Sequence, residues 1–165
     1  MQILLPKAQE LAALLKARNE TIAVAESSTG GLIAAALLAV PGASAYFLGG
    51  AIVYTRHARS ALMGISDGAM KGLRSSTEPY ARLLATTVRE RHGATWGLAE
   101  TGAAGPAGNR YGDAAGHACI AVSGPHECVI TLETAISDRQ ANMRTFALKA
   151  FEALSQAIQS AEAKP

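Results

Sequence analysis

Apolar residues recur at three- and four-residue steps from Leu5 through Ala8, Leu11, Ala12 and Leu15, which predicts a helix with one buried face that ends near Asn19. The stretch 21–25 is short, partly β-branched and apolar throughout, as expected of a strand buried on both faces of a sheet. It runs into a polar turn, Glu26-Ser27-Ser28-Thr29-Gly30-Gly31. The Ala- and Leu-rich run 32–40 then favours a helix, which Pro41-Gly42 stops. A second strand is predicted over 51–55, after Gly49-Gly50, and a short helical stretch with Ala58, Ala61, Leu62 and Met63 closes at Gly64. Thr77 reads as an N-cap with Pro79 in the first turn, opening a helix through Tyr80, Leu83, Leu84 and Val88 to His92-Gly93.

Residues 95–99 read as a third strand. From 100 to 116, glycine stands at 102, 105, 108, 112 and 116, too densely for a regular element, which predicts a long functional loop. Two strands, 118–122 and 128–132, flank Gly124-Pro125 as an antiparallel pair. A last helix follows Asp138 and buries Met143, Phe146, Ala147, Ala150, Leu154, Ala157 and Ile158, with a frayed tail at 161–165. Strands alternating with helices, then a hairpin and a terminal helix, predict an α/β fold: three layers, α/β/α, around a mixed, mostly parallel central sheet. The expectation is one domain over 1–165, without repeats or linkers.

Composition narrows the function classes. Fifteen basic and 13 acidic residues give a net charge of +2 without a basic block, so nothing marks a nucleic-acid partner. The longest apolar run, 31–40, is about half of what a bilayer-spanning helix needs, and the first seven residues lack a secretory apolar core. The expectation is a cytoplasmic protein with no membrane partner. Two cysteines, Cys119 and Cys128, make no disulfide framework and read as apolar filler; His57, His92, His117 and His126 lack metal-ligand spacing, so no metal is expected.

Two stretches carry candidate chemistry. The turn 26–31 lies between a strand and a helix, where free N–H groups and the helix dipole attract anions; phosphate binding there and simple Ser/Thr capping are both open. Neither the P-loop nor the dinucleotide spacing is present. The loop Thr101-Gly102-Ala103-Ala104-Gly105-Pro106-Ala107-Gly108 leaves the third strand; a crevice between the two bends at strand carboxyl ends and a merely wandering surface loop are both open. Ser44 is not a nucleophile elbow, because Tyr46 stands where the second glycine belongs, and it reads as a turn residue. Tyr54 ends a strand, with Arg56, His57 and Arg59 just after it, and Arg139 and Arg144 are candidates for an anion clamp.

Taken together, Ala25-Glu26-Ser27-Ser28-Thr29-Gly30-Gly31, Pro41-Gly42-Ala43-Ser44, Tyr54, Thr77-Glu78-Pro79, Thr101-Gly102-Ala103-Ala104-Gly105-Pro106 and Asp138-Arg139 resemble the CinA C-terminal domain family over nearly the whole chain. The resemblance implies an amidohydrolase that converts nicotinamide mononucleotide to nicotinic acid mononucleotide and ammonia. It implies no cofactor, a small-molecule nucleotide substrate and a homo-oligomer. It also implies Ser44 as nucleophile, with Ser27, Tyr54 and Thr101 around the reacting amide and Arg139 on the substrate, while Thr29, Gly30, Gly31, Gly102 and Gly105 of the two bends are expected to supply donors to the phosphate or the oxyanion. The family's general-base lysine falls at Arg59, a departure, because a guanidinium stays protonated up to pH ~12 and cannot take the serine proton. A second departure, Ser28 where the family commonly has cysteine, is mild. Three outcomes stand open: Tyr54 or His57 serves as base, hydrolysis runs slowly by positioning, or the pocket binds a nucleotide without cutting it. The Ala-rich faces of the first and last helices are candidate subunit contacts.

Overall fold

The computed structural model describes residues 1–162. Helix α1 (Leu5–Ala17) leads into β1 (Ile22–Glu26), α2 (Leu32–Leu38), one turn of 3-10 helix (Ala43–Ala45), β2 (Phe47–Ile52), α3 (Arg56–Met63) and α4 (Glu78–His92). Strands β3 (Trp96–Ala103), β4 (His117–Ser123) and β5 (Cys128–Glu133) and helix α5 (Arg139–Glu162) complete it. The sheet order is β2-β1-β3-β4-β5, with β1 parallel to β2 and β3, and β4 antiparallel to β3 and β5. Four strands therefore run one way and β4 alone runs back, giving a mixed sheet with a parallel core between two helical layers.

The two faces of the sheet differ because the alternating residues of its strands differ in size. Toward α1, α2 and α5, the strands present Ile22, Val24, Trp96, Leu98, Ile120 and Val122, and Phe151, Leu11 and Leu15 fill the space between. Toward α4 they present Ala23, Ala25, Ala99 and Ala121, so that helix sits close to the sheet on Tyr80, Leu84 and Val88. The approach is closest at Gly97, where a Cβ would overlap the Ala85 carbonyl oxygen and stand 2.7 Å from Arg89 Cβ. The alanines at 8, 12, 147, 150 and 157 are buried in the core, so the Ala-rich faces of the first and last helices point inward and are not free for subunit contacts.

Several boundaries differ from the pattern-based expectation. The second strand begins at Phe47 and includes Gly49 and Gly50, whose small side chains hid it; Gly50 lies against Val24 with no room for a Cβ. The third strand continues to Ala103, because Gly97↔Ser123 through Ala103↔His117 pair in one unbroken antiparallel ladder with β4. The long loop is therefore shorter than 100–116. Of the frayed tail expected at 161–165, residues 161 and 162 continue α5, and 163–165 lie outside the described residues. Thr77 caps α4 as read, accepting from the Tyr80 N–H.

Gly97→Ala should lower stability by about 1–3 kcal/mol, because the added methyl meets α4 backbone that cannot move alone. A urea melt with an unchanged midpoint would contradict this close packing.

Candidate functional site

Two carboxylates that follow the paired residues Ala25 and Ala99 on neighbouring strands shape the crevice. Glu26, the last residue of β1, is 1% exposed, and its Oε2 accepts the N–H groups of Gly31 (3.0 Å) and Ile33 (3.0 Å) while Oε1 accepts that of Ala34 (2.8 Å). The N-terminus of α2 is thus capped by a side chain from the strand before it. Gly30 and Gly31 reverse the chain between them with φ of +64° and +100°, conformations that favour glycine. Glu100 of β3 is fully buried and receives the Ser28 hydroxyl, the Thr29 N–H and hydroxyl (2.9 Å each) and the Ser27 N–H (3.2 Å). Burial pushes its carboxyl above the ordinary value, with those donors opposing the rise.

Above Glu100, a cavity of about 510 Å³ opens at the carboxyl ends of β1, β2 and β3. Ser27 lines it from β1, and Ser27 Oγ takes no hydrogen-bond partner among the described residues. Thr101 and Gly102 enter from β3, and Val53 and Tyr54 from the end of β2. Four basic side chains line the wall, Arg56, His57 and Arg59 from α3 and Arg110 from the loop before β4; no carboxylate lines it. Arg59 is 5% exposed; its Nη2 donates to Asp67 and its Nε to the Ile65 carbonyl (3.4 Å), which locks the guanidinium in place. Arg56 donates to the other oxygen of Asp67 at 2.6 Å.

The opposite wall is held by a second network. Asp113 takes a two-pronged contact from Arg74 (2.6 and 3.0 Å) and the Asn109 amide (2.7 Å), and Arg74 also lies 5.4 Å from the centre of the Tyr111 ring. The Arg74 guanidinium lowers the Asp113 carboxyl to about 2, with Asn109 and His117 adding to the effect against partial burial. This network seats Asn109, Arg110 and Tyr111 on the cavity rim. Thr101 Oγ1 accepts the Ser76 N–H (3.2 Å), joining that wall to β3.

Residues 5–158 match the family described as CinA C-terminal domain. The chain belongs to that family. A CinA-like protein of Prochlorococcus marinus (strain MIT 9313) is 46% identical over 115 residues, 70% of this chain and 27% of that protein. One from Desulfosudis oleivorans is 40% identical over 147 residues, 88% of this chain and 35% of that protein. The chain therefore spans about a quarter to a third of the length of these relatives. Among solved structures, a CinA superfamily protein from Escherichia coli superposes with a TM-score of 0.86 at 25% identity, covering 93% of this chain and 89% of that one. One from Klebsiella pneumoniae 700603 reaches 0.88 at 23% identity over 95% and 98%, a likeness of fold.

In this CinA C-terminal domain the cavity gathers Ser27, Tyr54, Arg59, Thr101 and Gly102. Arg139 stands at its edge, donating to the Gly105 carbonyl (2.6 Å) and the Tyr54 hydroxyl (3.2 Å), so Gly105 and Arg139 brace Tyr54 from outside the cavity lining. Ser44 does not join them. It is exposed on the 3-10 turn before β2, whereas Tyr54 follows the other end; the six residues of β2 alone span roughly 20 Å. Thr29, Gly30 and Gly31 are also outside the cavity: Glu100 and Glu26 already occupy the donors that an anion would need there, which removes both the phosphate and the Ser/Thr-cap readings of the turn. Ser75, Ser76, Tyr80, Asn109, Arg110 and Tyr111 also line the cavity and carry no local signature; Arg110 and Tyr111 fall within the stretch whose glycines marked a functional loop. No helix among the described residues is long and apolar enough to cross a membrane.

Because the folded value of Asp113 lies below the ordinary carboxylate value near 4, its contribution to stability is full above about pH 4 and is lost as pH falls toward 2. Asp113→Asn should therefore be less stable than wild type at pH 6, with the gap in urea midpoint closing between pH 4 and 2. A gap independent of pH would contradict the Arg74 pairing.

Proposed function

We propose that the cavity binds nicotinamide mononucleotide and hydrolyses its carboxamide, with Ser27 as nucleophile in place of Ser44. The observation that carries this reading is the lining itself: three arginines and a histidine and no carboxylate for a phosphate, with the unpartnered Ser27 hydroxyl on the same space. Arg56 and Arg110 take the phosphate region, which leaves His57 to the carboxamide. Ser27 Oγ attacks the amide carbon, its proton passes to His57 and on to the departing nitrogen, and ammonia leaves. Water then cleaves the acyl ester, releasing the nicotinate product and restoring the serine. Imidazole is the side chain suited to carry a proton near neutral pH, whereas Arg59, fixed by Asp67, acts as a permanent cation. Arg139 orients Tyr54, and the pocket uses no metal or cofactor.

A homo-oligomer in the cytoplasm is part of this proposal. Its contact surface is edge strand β2, where Leu48 and Ile52 are exposed. Ser44 enters such a site only from another copy.

A second reading is favoured by the locked state of Arg59: the family's general-base position is filled by a cation paired to Asp67, which suits a nucleotide-binding module without turnover. Ammonia release and calorimetric binding of nicotinamide mononucleotide separate the two. The enzyme reading expects wild-type turnover, a loss of about 10²-fold or more in Ser27→Ala, a loss of about 10²- to 10⁴-fold in His57→Ala, and little change in Ser44→Ala. Binding without turnover in wild type, with turnover appearing in Arg59→Lys, establishes the second reading. Loss of turnover in Ser44→Ala alone overturns the Ser27 assignment, and absence of binding overturns both readings.

A further inference from the structure

His117 is buried, and each of its ring nitrogens faces an acceptor: Nδ1 meets the Glu133 carboxylate of β5, and Nε2 lies 2.8 Å from the Ser76 carbonyl. A neutral imidazole has one N–H and satisfies only one of them; both are satisfied when the ring carries two. Ser76 itself is under constraint. It holds φ at +59°, a conformation that a residue with a side chain rarely adopts, and it lines the cavity. Its N–H is taken by Thr101 Oγ1, another cavity residue, and its carbonyl by His117 and, at 3.7 Å, by the Cys119 thiol. The pocket wall at residues 75 and 76 is thus clamped between β3 and β4.

We propose that His117 is a positioning residue of the pocket: as an imidazolium it donates one N–H to Glu133 and the other to the Ser76 carbonyl, and so holds the Ser75-Ser76 wall in its strained form. The charged and titratable groups around it favour this state. Asp113 Oδ1, from the loop, is 3.9 Å from Nε2. Arg74 reaches the cluster through Asp113, and the Cys119 thiol lies 3.8 Å from Nε2 on the same strand. Glu78 of α4 faces the neighbouring Thr131, whose hydroxyl donates to it at 2.7 Å. Burial lowers the imidazole's pKa, but Glu133, the Ser76 carbonyl and Asp113 outweigh it and raise it above the ordinary value. The clamp is therefore fully made below pH ~6.5 and is lost as pH rises through the raised value. Proton loss leaves either Glu133 or the Ser76 carbonyl without its donor, so the wall loosens on the alkaline side. The inference does not depend on which substrate the cavity takes.

The test is an NMR titration of the isotopically labelled full chain from pH 5.5 to 9, following the His117 ring nitrogens and the Ser76 amide, with the Trp96 indole as a reporter of the intact fold. The expected result is both ring nitrogens protonated at pH 5.5, a midpoint above 6.5, and a Ser76 amide that shifts with the same midpoint. In Glu133→Gln both midpoints should fall together, because the carboxylate that favours the imidazolium is gone. A His117 midpoint at or below 6.5, or a Ser76 amide that ignores the His117 midpoint while Trp96 stays native, overturns the proposal. The wild-type titration decides by itself if the variant unfolds.

Discussion

A carboxylate sealed inside the protein is the constraint on which the rest of the site depends. An unpaired buried charge costs several kcal/mol, so Glu100 must be surrounded by donors or the fold is lost. The chain meets this demand with the turn after β1, whose two N–H groups and two hydroxyls all point at that one side chain. In doing so it fixes the path of the turn and leaves Ser27, the residue whose side chain Glu100 does not take, facing the cavity. Glu26 works the same way on the other side of the turn by holding the first N–H groups of α2. The residues that look like an anion cradle in one dimension are the scaffold that presents a serine in three.

The electrostatic character of the cavity follows from where the acids were spent. Glu26 and Glu100 lie behind the turn, Asp67 is bound to Arg56 and Arg59, and Asp113 is bound to Arg74, which leaves the open space to arginines, a histidine and hydroxyls. A surface whose charges nearly cancel along the chain therefore carries a locally positive hollow. In the proposed reading an anionic substrate meets the cavity wall of α3 and the loop before β4 rather than the α2 N-terminus, whose N–H groups Glu26 already holds.

Much of the architecture was legible because its signals are local. The Thr77 cap with Pro79, the three- and four-residue spacing of Leu11, Leu15 and their neighbours, and the apolar run after Glu20 each encode an element within a few residues. The start of β2 was hidden because Gly49 and Gly50 read as a turn, and only the neighbouring Val24 explains why side chains are excluded there. The site was legible in part for the same reason. Ser27, Tyr54, Arg59 and Thr101 follow strands or belong to their carboxyl ends, and strand direction brings such residues together. Ser44 precedes its strand instead, and no linear motif shows at which end of a sheet a residue emerges. Ser76 and His117 are 41 residues apart in the chain, and their bond has no trace in the sequence.

One cavity at the carboxyl ends of β1, β2 and β3 is proposed to hold the nucleotide. A crystal structure of the chain with nicotinamide mononucleotide bound tests it most directly. The phosphate should lie at Arg56 and Arg110, with the carboxamide against Ser27, Thr101 and His57. A ligand seated on the α2 N-terminus, or beside Ser44 of the same chain, would contradict it.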